Sequence, residues 1–300
     1  MSRLSVWFHG ARPRTLGAGV TPVLVGTAAA GTAELWRFAA ALLVAVALQV
    51  GVNYANDVHD AVRGIDTPDR LGPARLTATG LASPEAVRVA ALACVLVAGI
   101  AGLVLAAATT LWLVPLGAVA MLALWLYSGG PRPYAELGLG EVMVFAFFGV
   151  MATAGTAFVQ VETVSSAAWW SSAAMGFLAV AILVANNLRD IETDEAAGKR
   201  TLAVRLGDRR TRAFYRACVV AAFAAVALGV AVGIAEAAGG MPAWASLALV
   251  ATVAAVGPMR RVATAQGRDL IAVLVGTARL QLVFGALLAL GLWIAGTSAP

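Results

Sequence analysis

Residues 87–108, VRVAALACVLVAGIAGLVLAAA, contain one charged side chain, Arg88, followed by an unbroken run of uncharged residues. A helix needs about 20 apolar residues to cross a bilayer. The run is apolar on every side, whereas a membrane β-strand would alternate apolar and polar residues over about ten positions. This stretch therefore predicts a transmembrane helix.

Similar apolar stretches recur along the whole chain. The predicted spans are residues 16–34, 37–56, 86–107, 110–128, 139–161, 168–187, 213–235, 243–258 and 277–296. Because the eighth of these is short, a count of eight spans is the alternative. We expect an all-α, polytopic membrane protein in which residues 1–300 form a single transmembrane domain.

The composition excludes several other classes of protein. Of the 300 residues, 61% are apolar and 12% are charged, and the mean hydropathy is +0.85. Soluble domains have about 45–50% apolar and about 25% charged residues. A soluble enzyme, a disordered chain and a nucleic-acid partner are therefore not expected. The pI near 9.9 reflects a net charge of only +5.

The position of the basic residues predicts the orientation of the chain. With nine spans, every Lys and Arg except Arg37 falls on one face of the membrane, and only Glu34, Glu162 and Glu236 among the acids fall on the other. The positive-inside rule makes the basic face cytoplasmic. We expect a multi-pass protein of the cytoplasmic membrane, with its N-terminus inside and its C-terminus outside. Two long polar loops, about 57–85 and 188–212, then lie inside.

Each of these two loops begins with the same spacing of Asn and Asp. Asn56 precedes Asp60 by four residues, and Asn186 precedes Asp190 by four, with Asp194 continuing the spacing. Residues four apart share one face of a helix. Carboxylates at a helix C-terminus repel one another and the helix dipole, so a cation is expected between them. An oxygen-only ligand set favours Mg²⁺.

Basic side chains lie among these acids and suit a phosphate-bearing substrate. They include Lys199, the only lysine in the chain, together with Arg63, Arg70, Arg189 and Arg200. His59 also lies among the acids and is interpreted as a solvated side chain. The alternative to a functional site is that all of these are solvated loop charges.

The two segments NDVHDAVRGIDTPDRLGP (56–73) and NNLRDIETDEAAGKRTLAVRLG (186–207) resemble the two Asp-rich motifs of the UbiA-type membrane prenyltransferases. YSGGPRPYAELGLGEVMVFAFFG (127–149) is similar to a third segment of that family. The resemblance covers essentially the whole chain, and it is strongest to the branch acting on 1,4-dihydroxy-2-naphthoate in menaquinone biosynthesis. The family fold is a ring of nine transmembrane helices around a central cavity.

The resemblance implies Mg²⁺-dependent transfer of a polyprenyl group from a polyprenyl diphosphate to an aromatic acceptor, with loss of CO₂ and formation of demethylmenaquinone. It implies Mg²⁺ ligands and diphosphate-binding residues in both segments. The residues expected to ligate Mg²⁺ are Asn56, Asp57, Asp60, Asp66, Asp190 and Asp194. The expected catalytic residues are Asp60, Asp190, Asp194 and Lys199. The expected substrate-binding residues are Asn56, Arg63, Tyr127, Arg132, Asn187, Arg189 and Arg200.

One position departs from the family pattern. Relatives often carry a Lys four residues after a Tyr such as Tyr127, where this chain has Pro131 followed by Arg132.

Two other functions stay open: a UbiA-type enzyme with another acceptor, such as 4-hydroxybenzoate, and a transporter of divalent cations or phosphate. Transporters place ionisable groups near the bilayer midplane, and this chain places its acids at one rim.

Overall fold

The chain folds into helices that span most of its length. The computed structural model describes residues 3–64, 75–127, 129–130, 133–236 and 239–297, and these contain no β-strand. The helices are α1 (Arg3–Gly10), α2 (Pro13–Ala29), α3 (Leu35–Val62), α4 (Pro84–Ala108), α5 (Leu113–Leu126), α6 (Gly140–Val144), α7 (Gly155–Val161), α8 (Ser166–Arg189), α9 (Ile191–Ala196), α10 (Leu202–Glu236), α11 (Thr252–Arg261) and α12 (Leu270–Thr297). The all-α class is confirmed.

The predicted count of nine spans is not confirmed. Among the described residues, seven helices are long and apolar enough to cross a membrane. The first and fourth predicted spans coincide with the shorter apolar helices Thr15–Ala29 and Leu113–Leu126. At about 1.5 Å per residue, the 14 residues of α5 rise only about 21 Å, less than the roughly 30 Å hydrocarbon core.

Two predicted spans have an irregular backbone. Residues Phe145–Ala154 form a π-helical segment that connects α6 to α7, and Ala243–Ala251 form a 3₁₀ segment that leads into α11. In addition, α10 begins well before the predicted residue 213, because the polar stretch from Leu202 is also helical and is interrupted only at Gly207, where φ is 73°.

Hydrogen bonds at the two ends of α3 identify the two ends of the bundle. At its start, the Glu34 amide donates to Oε1 of Gln160 at 2.8 Å, and Nη1 of Arg37 donates to the Val159 carbonyl at 2.8 Å. Near its other end, Nδ2 of Asn53 donates to the Ala11 carbonyl at 3.0 Å. The N-terminal residues therefore lie at the end that carries the Asn and Asp motif, as predicted.

Close backbone contact joins the π-helical segment to α8. A Cβ atom added at Gly149 would lie 2.5 Å from the Cα of Gly176, and one added at Gly176 would lie 2.7 Å from the ring of Phe145. Phe145 also packs edge-on against Phe177. The two glycines allow this approach, which holds α8 in the interior of the bundle.

We therefore expect Gly149→Ala to lower the thermal stability of the protein. The added methyl group has no space, and overpacking costs about 1–3 kcal/mol. Gly102→Ala in α4 is the matched control, because no atom lies within 4 Å of its added Cβ and Ala favours a helix by about 1 kcal/mol. Thermal unfolding of both variants in detergent measures the difference; equal melting temperatures would contradict the packing argument.

Candidate active site

The two Asn and Asp motifs lie where α3 and α8 end. α3 ends at Val62 and is followed by Gly64 with φ 71°, and α8 ends at Arg189 and is followed directly by the short helix α9. Asp60, Asp190 and Asp194 are all buried. Polar groups buried at helix ends require partners, and the contacts described below provide them.

A glycine turn directs Lys199 back towards the first motif. After α9, Gly198 has φ 74°, its amide donates to the Glu195 carbonyl at 3.0 Å, and the Lys199 amide donates to the Asp194 carbonyl at 2.8 Å. This is a Schellman motif, in which a glycine in the left-handed region terminates the helix. The turn reverses the chain immediately after Asp194.

Lys199 then meets Asp60 of the other motif. Its Nζ atom lies 3.4 Å from Oδ1 of Asp60, and Nη2 of Arg75 lies 3.4 Å from Oδ2. The side chains of Asp60, Arg75 and Lys199 are 5%, 6% and 14% exposed. The two motifs, separated by 139 positions between these residues, thus form one charged cluster.

Asp57 anchors the segment that carries Arg75. Its Oδ2 accepts a hydrogen bond from the Leu76 amide at 2.7 Å, and its Oδ1 accepts one from the Thr77 amide at 2.8 Å. Both carboxylate oxygens therefore bind backbone. Asp57 fixes the return of the first loop to α3 and thereby places Arg75 beside Asp60.

In the second motif, Arg189 is the main partner of Asp190. Its Nε donates to Oδ1 at 2.7 Å and its Nη2 to Oδ2 at 2.6 Å, and Nη2 also donates to Oδ1 of Asn186 at 3.0 Å. Asn187 points elsewhere, because its Nδ2 donates to Oε1 of the buried Glu141 at 3.1 Å. The second motif thus contacts the third segment, which includes Glu141.

The other predicted residues have more varied surroundings. Tyr127 packs edge-on against Tyr134, with ring centroids 5.5 Å apart, and burial raises the pKa of Tyr134 above its usual range. Arg63 donates two hydrogen bonds to the carboxylate of Glu136, which raise the pKa of Arg63. Arg200 is exposed, and Asn56 is half-buried.

The remaining expectations concern Asp66 and Arg132, the surroundings of His59, and the grouping of the acidic side chains. Asp66 and Arg132 lie outside the described residues. His59 is not fully solvated, because it is half-buried and packs edge-on against Trp125 with centroids 5.0 Å apart. No three Asp, Glu, His or Cys side chains converge in the described part of the chain, because Asp60 and Asp190 face cations and Asp57 faces backbone amides.

Sequence reasoning missed three residues of this region. From the sequence, Arg75 contributed only to the prediction of membrane orientation, and no role in the site was predicted for Glu136 or Glu141. Arg75 has no motif spacing to mark it. A glutamate within an apolar run was the available signal for Glu141, since such a charge is buried only with a partner. The contact of Glu136 with Arg63 is tertiary and has no local signal.

Taken together, the helices and this cluster define a multi-pass membrane protein with acidic and basic side chains gathered at one end of the bundle. The UbiA prenyltransferase family model matches residues 19–273. A 1,4-dihydroxy-2-naphthoate octaprenyltransferase of Mycobacterium tuberculosis is 43% identical, over 95% of this chain and 95% of that protein. The chain belongs to the UbiA prenyltransferase family, which confirms the resemblance.

Solved structures agree on the fold. The apo structure of a UbiA homolog from Aeropyrum pernix K1 gives a TM-score of 0.68 at 14% identity and covers 94% of this chain and 97% of that chain. A UbiA homolog from Archaeoglobus fulgidus bound to DMAPP and Mg²⁺ gives 0.54 at 16% identity, over 94% of this chain and 98% of that chain. Similarity at this level of identity establishes the fold alone.

We expect Asp57→Ala to free the segment around Arg75. The variant removes both carboxylate acceptors of the Leu76 and Thr77 amides, and hydrogen bonds to a charged group contribute about 1.5–3 kcal/mol each. Trypsin cleavage after Arg75, followed by mass spectrometry, should accelerate about tenfold or more, because local opening controls cleavage of a buried bond. Asp269→Ala, which changes an exposed aspartate, is the control. Unchanged cleavage in Asp57→Ala would refute the anchoring role.

Proposed function

We propose that the protein transfers a polyprenyl group from polyprenyl diphosphate to 1,4-dihydroxy-2-naphthoate in menaquinone biosynthesis. The observation that carries the proposal is the contact of Asp60 in the first family motif with Lys199 in the second. Arg75 contacts the same carboxylate. The naphthoate enzyme from M. tuberculosis, similar over nearly the full length, supports this acceptor.

The donor set suits Mg²⁺. Asn56, Asp60, Asp66, Asp190 and Asp194 offer oxygen ligands only, and Mg²⁺ is commonly bound by a few carboxylates together with substrate phosphates. The homolog bound to DMAPP and Mg²⁺ supports the same metal here. When bound, the ion would neutralise the charge that develops on the leaving diphosphate. We exclude Asp57 from the ligand set, because its two oxygens already accept backbone amides.

The cations of the cluster bind the diphosphate. Lys199 and Arg75 lie against Asp60, and Arg189 lies against Asp190; these cations would bind the diphosphate oxygens, and the two carboxylates would be available to hold the metal. Lys199 supplies a compact charge, and the arginines supply paired donors that match phosphate oxygens. Arg200 adds a further positive charge next to Lys199 in the chain, and Arg63 is held by its hydrogen bonds to Glu136.

The reaction forms a bond between the first prenyl carbon and the acceptor ring and breaks the bond from that carbon to the diphosphate. The acceptor carboxylate leaves as CO₂ and its bonding electrons stay with the ring. Both ring oxygens remain hydroxyls, so the product is demethylmenaquinol, and the quinone form requires a separate two-electron oxidation. Tyr127 and Asn187 border the region where the acceptor binds.

The proposed orientation places this cluster and the N-terminus in the cytoplasm and the C-terminus outside. Two hydrogen bonds at opposite ends of α3 support this orientation: Asn53 bonds to Ala11 at one end, and Glu34 bonds to Gln160 at the other. The positive-inside rule supports it as well. Location in the cytoplasmic membrane agrees with a long apolar donor chain.

Substituting the paired carboxylates should abolish turnover. Purified protein is mixed with labelled geranylgeranyl diphosphate, Mg²⁺ and the naphthoate, and prenylated product is counted. We expect Asp60→Ala and Asp190→Ala to lose at least about hundredfold in rate, the scale of a lost electrostatic contact to a leaving group. Glu192→Ala and Glu195→Ala, which change exposed residues of α9, should stay within about twofold. Near-normal turnover in either Asp variant overturns the site; product only with 4-hydroxybenzoate reassigns the acceptor.

Metal removal provides a separate prediction. EDTA should stop prenyl transfer, and Mg²⁺ should restore it better than Ca²⁺, because Ca²⁺ binds oxygen at about 2.3–2.6 Å instead of 2.0–2.1 Å and prefers more ligands. Initial rates after dialysis against each metal measure this. Full turnover in EDTA would contradict the role given to the carboxylates.

A further inference from the structure

A basic cleft lies apart from the motif cluster, between the start of α10 and the segment that follows α11. It has a volume of about 390 Å³ and is lined by Arg209, Arg212 and Arg216 on one side and by Thr264 and Gln266 on the other. The arginines are spaced by three and four residues, so they project from one face of α10.

The central arginine is fixed and the outer two are available. Nε and Nη2 of Arg212 donate to the Asp208 carboxylate at 2.7 Å each, and Nη1 donates to the Val262 carbonyl at 2.5 Å. Arg209 and Arg216 are exposed, and neither side chain has a hydrogen bond or ion pair with the described part of the chain. Asp208 therefore neutralises one of three positive charges, and the cleft keeps a net charge of about +2.

The cleft lies at the polar start of α10, a helix long and apolar enough to cross a membrane. Arg216 lies near the start of the apolar part of α10, and Arg209 is seven residues before it, which is about 10 Å along a helix. The polar layer of a bilayer is about 5–8 Å thick on each side. If Arg216 lies at the polar layer, Arg209 lies about two helical turns further out and reaches back to the same phosphates with its long side chain.

The positive-inside rule requires basic residues on this face, but it does not require them to converge with hydroxyl and amide groups on one cleft. Basic pockets between transmembrane helices bind anionic headgroups, and a guanidinium pairs well with phosphate oxygens. We propose that the cleft binds the phosphate of an anionic phospholipid headgroup. The cleft shares no lining residue with the motif cluster. Arg205, which precedes it on α10, donates to the Glu136 carbonyl at 2.9 Å and does not line it.

The test compares two double variants of equal charge. Arg209→Gln/Arg216→Gln changes the cleft, and Arg88→Gln/Arg268→Gln removes two exposed arginines outside it; Arg212 is retained because it bonds to Val262. Each protein is placed in phosphatidylcholine nanodiscs with increasing phosphatidylglycerol of the same acyl chains. Native mass spectrometry measures bound phosphatidylglycerol, and the melting temperature measures its effect. A parallel titration uses inorganic phosphate in neutral detergent.

We expect the wild type and the control pair to retain phosphatidylglycerol over phosphatidylcholine, and the cleft pair to bind it about tenfold more weakly. Prenyl transfer in pure phosphatidylcholine should be the same in all three, which also reports that the variants fold. Equal binding by all three proteins, or an equal loss in both double variants, overturns the proposal. Stabilisation by inorganic phosphate through Arg209 and Arg216, without a phosphatidylglycerol effect, overturns the lipid assignment and makes free phosphate the ligand.

Discussion

The contact between Asp60 and Lys199 is the interaction on which the arrangement of the site depends. It joins the end of α3 to the turn after α9, and both side chains are largely removed from water. A charge in such surroundings is costly unless an opposite charge compensates it. Asp60 and Lys199 belong to different loops, so the burial of this pair requires the two loops and the helices that carry them to meet at one end of the bundle.

Two local features position the partners of Asp60: a glycine turn before Lys199 and the hydrogen bonds of Asp57 to the backbone after Arg75. The glycine turn at Gly198 reverses the chain after Asp194, and Asp57 ties the backbone at Leu76 and Thr77 so that Arg75 reaches Asp60. A buried ion pair contributes little net stability, yet each member depends strongly on the other. Under the proposed function, a metal diphosphate would replace one set of opposite charges with another, so the net cost in desolvation would be small.

The sequence was sufficient for the all-α class and for the placement of Asn56 and Asp60 on one helix end, because period and apolar length determine these features. It placed the end of the second span at residue 56, whereas α3 continues to Val62, because an apolar run marks the membrane-spanning part of a helix and not the end of the helix. It was not sufficient for the count of spans, since two of the predicted spans correspond to helices shorter than 18 residues, Thr15–Ala29 and Leu113–Leu126. Arg75, Glu136 and Glu141 were missed because their roles arise from contacts with residues far along the chain. The anchoring by Asp57 was missed because the family resemblance implied a metal ligand at this position, whereas its contacts are with backbone amides 19 and 20 residues along the chain.

Because charged residues are few in this chain, the surroundings of each arginine indicate its role. A chain that is 12% charged has few cations, and the proposed orientation accounts for the side of the membrane on which they lie but for nothing finer. The contacts of the arginines with acidic side chains divide them into two groups. Arg75 and Arg189 lie against the motif carboxylates, where their charge is available only in exchange for another anion, whereas Arg209 and Arg216 are exposed in the cleft without a protein partner in the described chain. The first pair suits a substrate that arrives with its own metal, and the second suits an anion that the membrane itself supplies.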